Sequence, residues 1–288
     1  MVHNNLINQI DQFYKTSMID VPDIILNDLL EKSKKRVNFK LNQLINIENQ
    51  LDPELNLKKF PDSSATSLNY SIKSKDALGN WKYKDLWDNS FFVMLNVQFL
   101  GLIKPNHLDV PGDYTEFKKD DNVYHAKIQI NMDTITNNFI NHPGVAYAKI
   151  NAILHHELVH FSQNLLYEMK NHNKQNEDNT IRFYGSPEKG LMNTPKYFNE
   201  ENYSSHSIEN VEFYPNLINE KATFEYLNDK KNPTKDLKLT KENFKNFVGL
   251  EPSKFESKHF SNLKKHNYDK YKKAVKELFK MLDLNQEQ

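Results

Sequence analysis

The sequence predicts an α+β fold, in which a small and mainly antiparallel sheet is followed by one long helix and then by a helical C-terminal part. Three features predict it. Apolar residues recur at helical spacing over roughly the first 60 residues and again in the last 50 or so. Between about residues 66 and 132 the period changes to two. From Val145 to Lys170 neither Gly nor Pro interrupts a helical pattern. The expected division is a helical N-terminal segment over 1–60, a central domain over 61–235, and C-terminal helices over 236–288 packed on it.

Taken in order, Leu6, Ile10 and Phe13, then Ile24, Ile25, Leu29 and Leu30, fall at helical spacing, and Leu41, Leu44 and Ile45 continue the pattern from Val37 to Leu51. The basic run Lys32-Ser33-Lys34-Lys35-Arg36 stands within a turn or two of Asp28 and Glu31, so it reads as a solvated helix face. Pro53, Pro61 and Asp62-Ser63-Ser64 end this region. Leu68 to Lys73 alternates, Phe91 to Leu100 is a nearly continuous apolar run, and Tyr124 to Met132 alternates again, which predicts three strands. His125 reads as an outward-facing polar residue of the last of them.

The turn Asn141-His142-Pro143-Gly144 launches the long helix, and the polar stretch Asn171 to Asn179 ends it. Thr180 to Ser205, with Gly185, Pro187, Gly190 and Pro195, is irregular and reads as a loop bordering a cleft. A further helix runs to about Leu227, and Asp229 to Thr234 is a linker. Phe244, Phe247 and Val248, then Tyr268, Tyr271, Val275, Leu278, Phe279 and Leu282, supply the apolar stripes of the C-terminal helices. Lys264, Lys265, Lys270 and Lys272 are interspersed with acids and read as an exposed face.

Composition removes several classes of function. Lys plus Arg and Asp plus Glu balance at 38 each, so no overall field recommends nucleic acid or an anionic membrane as partner. The absence of Cys excludes disulfides, thiolate-held metals and thiol catalysis. The first residues lack a basic and an apolar region of the signal-peptide kind, and nowhere do eighteen apolar residues follow one another. The expectation is a soluble chain without a cleavable signal, cytoplasmic, with non-classical export or carriage in a virion as the other routes.

The chemistry is concentrated in the long helix, where His156, Glu157 and His160 spell H-E-x-x-H. Residues four apart project from the same helix face one turn apart, so two imidazole nitrogens reach one metal ion. Glu157 is rotated by about 100° from His156, which keeps it beside the metal's open position, where it can take a proton from water. Zinc with an open position lowers the pKa of such a water from ~15.7 to about 7. His155 points about 100° away from His156 and reads as a packed residue.

H-E-x-x-H supplies two ligands, and the third is sought among the residues downstream. Gln163 and Leu166 stand where the H-E-x-x-H-x-x-G-x-x-H class has Gly and His, and a Cys ligand of the peptide deformylase kind is absent. A carboxylate from a later helix remains, the His₂Glu set. The segment Ile208 to Ala222 offers Glu212, with Val211, Leu217, Ile218 and Ala222 as an inner face and Pro215 confined to the first turn, which places Glu212 at or just before the helix start. Glu209 is the runner-up and Glu220 a third candidate.

His156-Glu157-x-x-His160 followed by Val211-Glu212-Phe213-Tyr214 resembles the Glu-ligand zincin metallopeptidases, the gluzincins. Its second segment looks most like the lethal-factor-type peptidases. The likeness covers these two short segments; Asn216 stands where many gluzincins have an acidic residue, and Ser205 where lethal factor has Tyr. The resemblance implies a zincin-like fold, one Zn²⁺ per chain held by His156, His160 and Glu212, Glu157 as general base, and a protein or peptide substrate. It also implies that extended substrate pairs with an edge strand of the sheet, for which Tyr124 to Met132 is the candidate. Tyr203 and His206, shortly before Glu212, are the candidate donors to the oxyanion. The alternatives are a zincin-fold interaction protein without activity, distinguished at Glu157 and Glu212, and a metal-dependent hydrolase of a non-peptide amide.

Overall fold

The computed structural model describes residues 21–48, 66–87, 92–104, 106, 108, 110–120, 123–140, 143–171, 210–227, 241–253 and 256–282. They fall into two compact units, one within residues 16–178 and one within 179–288.

The first unit opens with helix α1 (Asp23–Glu48), which joins the two helical stretches read from the sequence into one. Strand β1 (Ser67–Ile72) follows, then β2 (Phe92–Leu100), β3 (Gly112–Asp120) and β4 (Val123–Asn131), with the short helix α2 (Met132–Thr136) and the long helix α3 (Pro143–Asn171) after them. The strand order is β1-β2-β4-β3. The β1–β2 and β3–β4 pairings are antiparallel and the central β2–β4 pairing is parallel, so the sheet is mixed.

Two sequence expectations are corrected here. Gly112–Asp120 is a strand, broken by an irregularity between Phe117 and Asp120, and its charged second half conceals the alternation. As a result β4 lies inside the sheet, between β2 and β3, and among the described strands β1 and β3 are the edges. The alternation of β4 belongs to an interior strand that buries one face and half-buries the other.

The core lies on one face of the sheet. Val93, Leu95, Val97 and Phe99 of β2 and Tyr124, Ala126, Ile128 and Ile130 of β4 are buried. The opposite face is mixed, with Asn96 donating to Asn69 and Gln129 to Gln98 beside the exposed Met94; His125 is on that face, half-buried, as its position in the alternation predicts.

Helix α1 also corrects the reading of the basic run. Lys34 and Lys35 are exposed, but Ser33 and Arg36 fall on the inner face at helical spacing and are buried. The Arg36 guanidinium lies 4.5 Å from the centre of the Phe99 ring and donates to the Lys32 carbonyl. One turn earlier, Lys32 and the Tyr70 hydroxyl both donate to Asp28 Oδ2 at 2.6 Å. Burial, and then the hydrogen bond to Asp28, push the Tyr70 hydroxyl far above its ordinary pKa.

Lys40, also on the inner face of α1, reaches Asp133 Oδ1 at 2.8 Å and the Gly101 carbonyl at 2.6 Å. Asp133 Oδ2 accepts from the backbone and side-chain nitrogens of Asn106, and Asn131 caps α2 by accepting from Thr134 N. This network ties the segment after β2 to α1 and α2.

The second unit is helical: α4 (Asn210–Leu227), α5 (Lys241–Phe247), α6 (Lys258–His266) and α7 (Tyr268–Met281). Its core is aromatic. Phe224 meets Phe244 and Phe247 at ring-centre distances of 6.0 and 5.2 Å, and Phe260 packs on Phe247 and Tyr271. The inner face of α4 carries Phe213, Leu217 and Phe224, while Ile218 and Ala222 are half-buried. Tyr268 is 59% exposed and stacks on Tyr271 instead of entering the core. Helix α5 is closed off beyond Phe247 by Gly249, whose φ of 73° lets Leu250 N reach back to the Lys245 carbonyl. Among the described residues no helix is long and apolar enough to cross a membrane.

Candidate metal centre

Helix α3 starts on Pro143, whose fixed φ and missing N–H suit a first helical position, and takes in the last residues of the segment read as a turn. Ile150, Ile153, Leu154, Leu158, Phe161 and Leu165 are at most 4% exposed, so the periodic apolar residues are the ones the fold buries. From Glu157 to Leu166 every residue of the helix is buried. Within that run Glu157 and His160 are each 5% exposed, and His156 beside them is half-buried. Ionisable groups in such a place cost several kcal/mol unless their surroundings compensate them.

His156, Glu157 and His160 converge. One ligand-type atom from each lies within 4.8 Å of the others, and the two Nε2 atoms face each other at 3.3 Å. The rings are close to perpendicular, 5.0 Å between centres at 75°. This buried group of two imidazoles and a carboxylate is of a kind that can hold a metal ion. His155 turns back on its own helix, with Nδ1 3.0 Å from the Asn151 carbonyl, and takes no part.

Further residues of the site were not singled out from the sequence. Gly112, the first residue of β3, runs so close to α3 that a Cβ there would stand 2.7 Å from Glu157 Oε1 and 2.5 Å from Ile153 Cγ2. Two residues on, on the same face of the strand, the Tyr114 ring stacks on His160, with 6.2 Å between centres and 25° between planes. The Tyr114 hydroxyl is 2.7 Å from the Tyr124 hydroxyl and accepts from Asn164 Nδ2 at 3.0 Å. The alternation in Gly112-Asp113-Tyr114-Thr115 is the signal that would have found the strand; one Tyr among fourteen offers none.

Glu212 is the third residue of α4, in the second unit. The helix begins at Asn210, so Glu212 lies inside it, and Pro215 stands beyond the first turn, contrary to the start expected from that proline. Pro215 removes one intrahelical hydrogen bond there, and it is buried. Glu220 is farther along the same helix, half-buried. Tyr203, His206 and Glu209 lie outside the described residues. The residues that the first unit brings together are therefore His156, Glu157 and His160, with Gly112, Tyr114, Tyr124 and Asn164 around them. No protein-family model, curated protein or solved structure matches the chain.

Proposed function

We propose that the chain is a zinc-dependent metallopeptidase with Glu157 as its general base. The observation that carries this reading is the 3.3 Å separation of the His156 and His160 Nε2 atoms beside a buried carboxylate. Two nitrogens each ~2.0–2.1 Å from one ion and subtending a tetrahedral angle stand about 3.3 Å apart. The pair thus fits the edge of a tetrahedral site without rearrangement. By the resemblance of the motif residues, Glu212 would complete a His₂Glu set, with Glu209 as the alternative.

Zinc held by His156 and His160 would supply a Lewis acid able to polarise a carbonyl and acidify a water. Glu157 takes the proton as the water oxygen bonds to the carbonyl carbon, and passes it to the nitrogen as the carbon–nitrogen bond breaks. Tyr203 or His206 donates to the oxyanion that forms in between. Glu157 and His160 are each 5% exposed, and their removal from water strengthens each of these interactions. An extended peptide is received along β3, the edge strand whose Gly112 and Tyr114 adjoin Glu157 and His160.

The test is metal content after purification without added metal, on the wild type, Glu212→Ala and Glu209→Ala, followed by cleavage of a peptide library. About one zinc per chain, weakened chiefly by Glu212→Ala, and cleavage that falls ~10²–10⁴-fold in Glu157→Gln, are expected. A wild type that neither carries zinc nor takes it up on titration defeats the reading.

A further inference from the structure

We infer that Tyr114 is a positioning residue of the metal centre: its ring, held by Tyr124 and Asn164, sets the His160 imidazole so that Nε2 faces His156. The inference rests on the metal reading above and adds to it the device that orients one of the ligands.

The geometry is that of a strand tracking a helix. On β3, Gly112 and Tyr114 point to the same side, two residues apart. On α3, Glu157, His160 and Asn164 succeed one another over two turns. Gly112 backs onto Glu157, the Tyr114 ring lies against His160, and the Tyr114 hydroxyl reaches Asn164 one turn beyond. The aromatic side chain therefore crosses the ligand and is anchored past it.

The anchor is rigid. Tyr124 is wholly buried in an interior strand, and its hydroxyl meets that of Tyr114 at 2.7 Å. Asn164 is 2% exposed and donates to the same oxygen. A phenol gripped at its hydroxyl by two buried partners cannot swing, so the face it presents to His160 is fixed. An imidazole free to rotate about its side-chain bonds loses that freedom when it binds an ion; a ring already confined loses less, and the ion binds more tightly. Groups that orient a ligand in this way are typically worth 10–100-fold in metal affinity.

The experiment measures zinc affinity by competition with a chromophoric chelator, and the visible spectrum of the cobalt-substituted protein, for the wild type, Tyr114→Phe, Tyr114→Leu and Asn164→Leu. Thermal unfolding of each metal-free protein is recorded alongside. Tyr114→Leu is expected to weaken zinc binding 10–100-fold and to shift the cobalt bands. Tyr114→Phe and Asn164→Leu keep the ring but loosen it, and should fall in between. Where Tyr114→Leu does not fold, the other two variants still decide. Wild-type affinity and an unaltered cobalt spectrum in the variants, whatever their unfolding temperatures, would reduce Tyr114 to packing and overturn the inference while leaving the metal centre standing. A wild type that binds neither ion overturns both readings together.

Discussion

Around Asp133 a buried ammonium, a carboxylate and two asparagines answer one another, whereas around His156 and His160 the converging side chains are of the kind that welcomes a cation. Both clusters lie in the first unit and both interrupt an apolar interior. At Asp133 the charges close on themselves: Lys40 stands at 2.8 Å and Asn106 donates twice. At the histidines two Nε2 atoms are directed at each other with a carboxylate beside them. The first arrangement explains itself through folding, since it pins the segment after β2 to two helices. The second gathers ligand-type atoms within 4.8 Å of one another, a group of the kind that can hold a metal ion.

Removing one member of each cluster breaks that comparison most directly. Lys40→Met leaves Asp133 charged and largely buried without its cation, at an expected cost of about 3–5 kcal/mol in chemical denaturation. Adding Asp133→Asn should return much of that loss, because the uncompensated charge goes with it; a double variant no more stable than the single one would show that the pair is not what the network depends on. Gly112→Ala comes next. Its Cβ must displace Glu157 and Ile153, for about 1–3 kcal/mol, and under the proposed chemistry it lowers peptide cleavage by more than that loss of stability accounts for. The smallest effect is expected at Glu157 itself. Glu157→Gln keeps the shape of the side chain, so the metal-free protein should unfold within about 1 kcal/mol of the wild type. A loss as large as that of Lys40→Met would mean that Glu157 serves the fold as Asp133 does.

The H-E-x-x-H helix was legible because its information is local. Val145 to Lys170 carries its own period and no breaker, and helical spacing alone puts His156 and His160 on one face. The three strands over 67–72, 92–100 and 123–131 were legible for the same reason, through alternation or a continuous apolar run. Failures occurred where a residue's surroundings come from elsewhere in the chain. Arg36 looks solvated in a basic stretch, and is buried because Phe99 receives its guanidinium from another element. Tyr268 looks like core and is exposed, because as the first residue of α7 it stacks on the outside of Tyr271, which takes the place in the aromatic cluster.

By itself, then, the sequence determined the coarse α+β class, the long helix, and the pairing of two histidines and a glutamate on it, all of which come from period and spacing within one segment. Only the tertiary structure decided which strand borders that helix. Strand order is a matter of hydrogen bonding between segments far apart in the chain, and it set β3, not β4, at the edge of the sheet beside the motif. With that one placement came Gly112 against Glu157 and Tyr114 against His160, contacts that no period along the chain encodes because they join a strand to a helix some forty residues on.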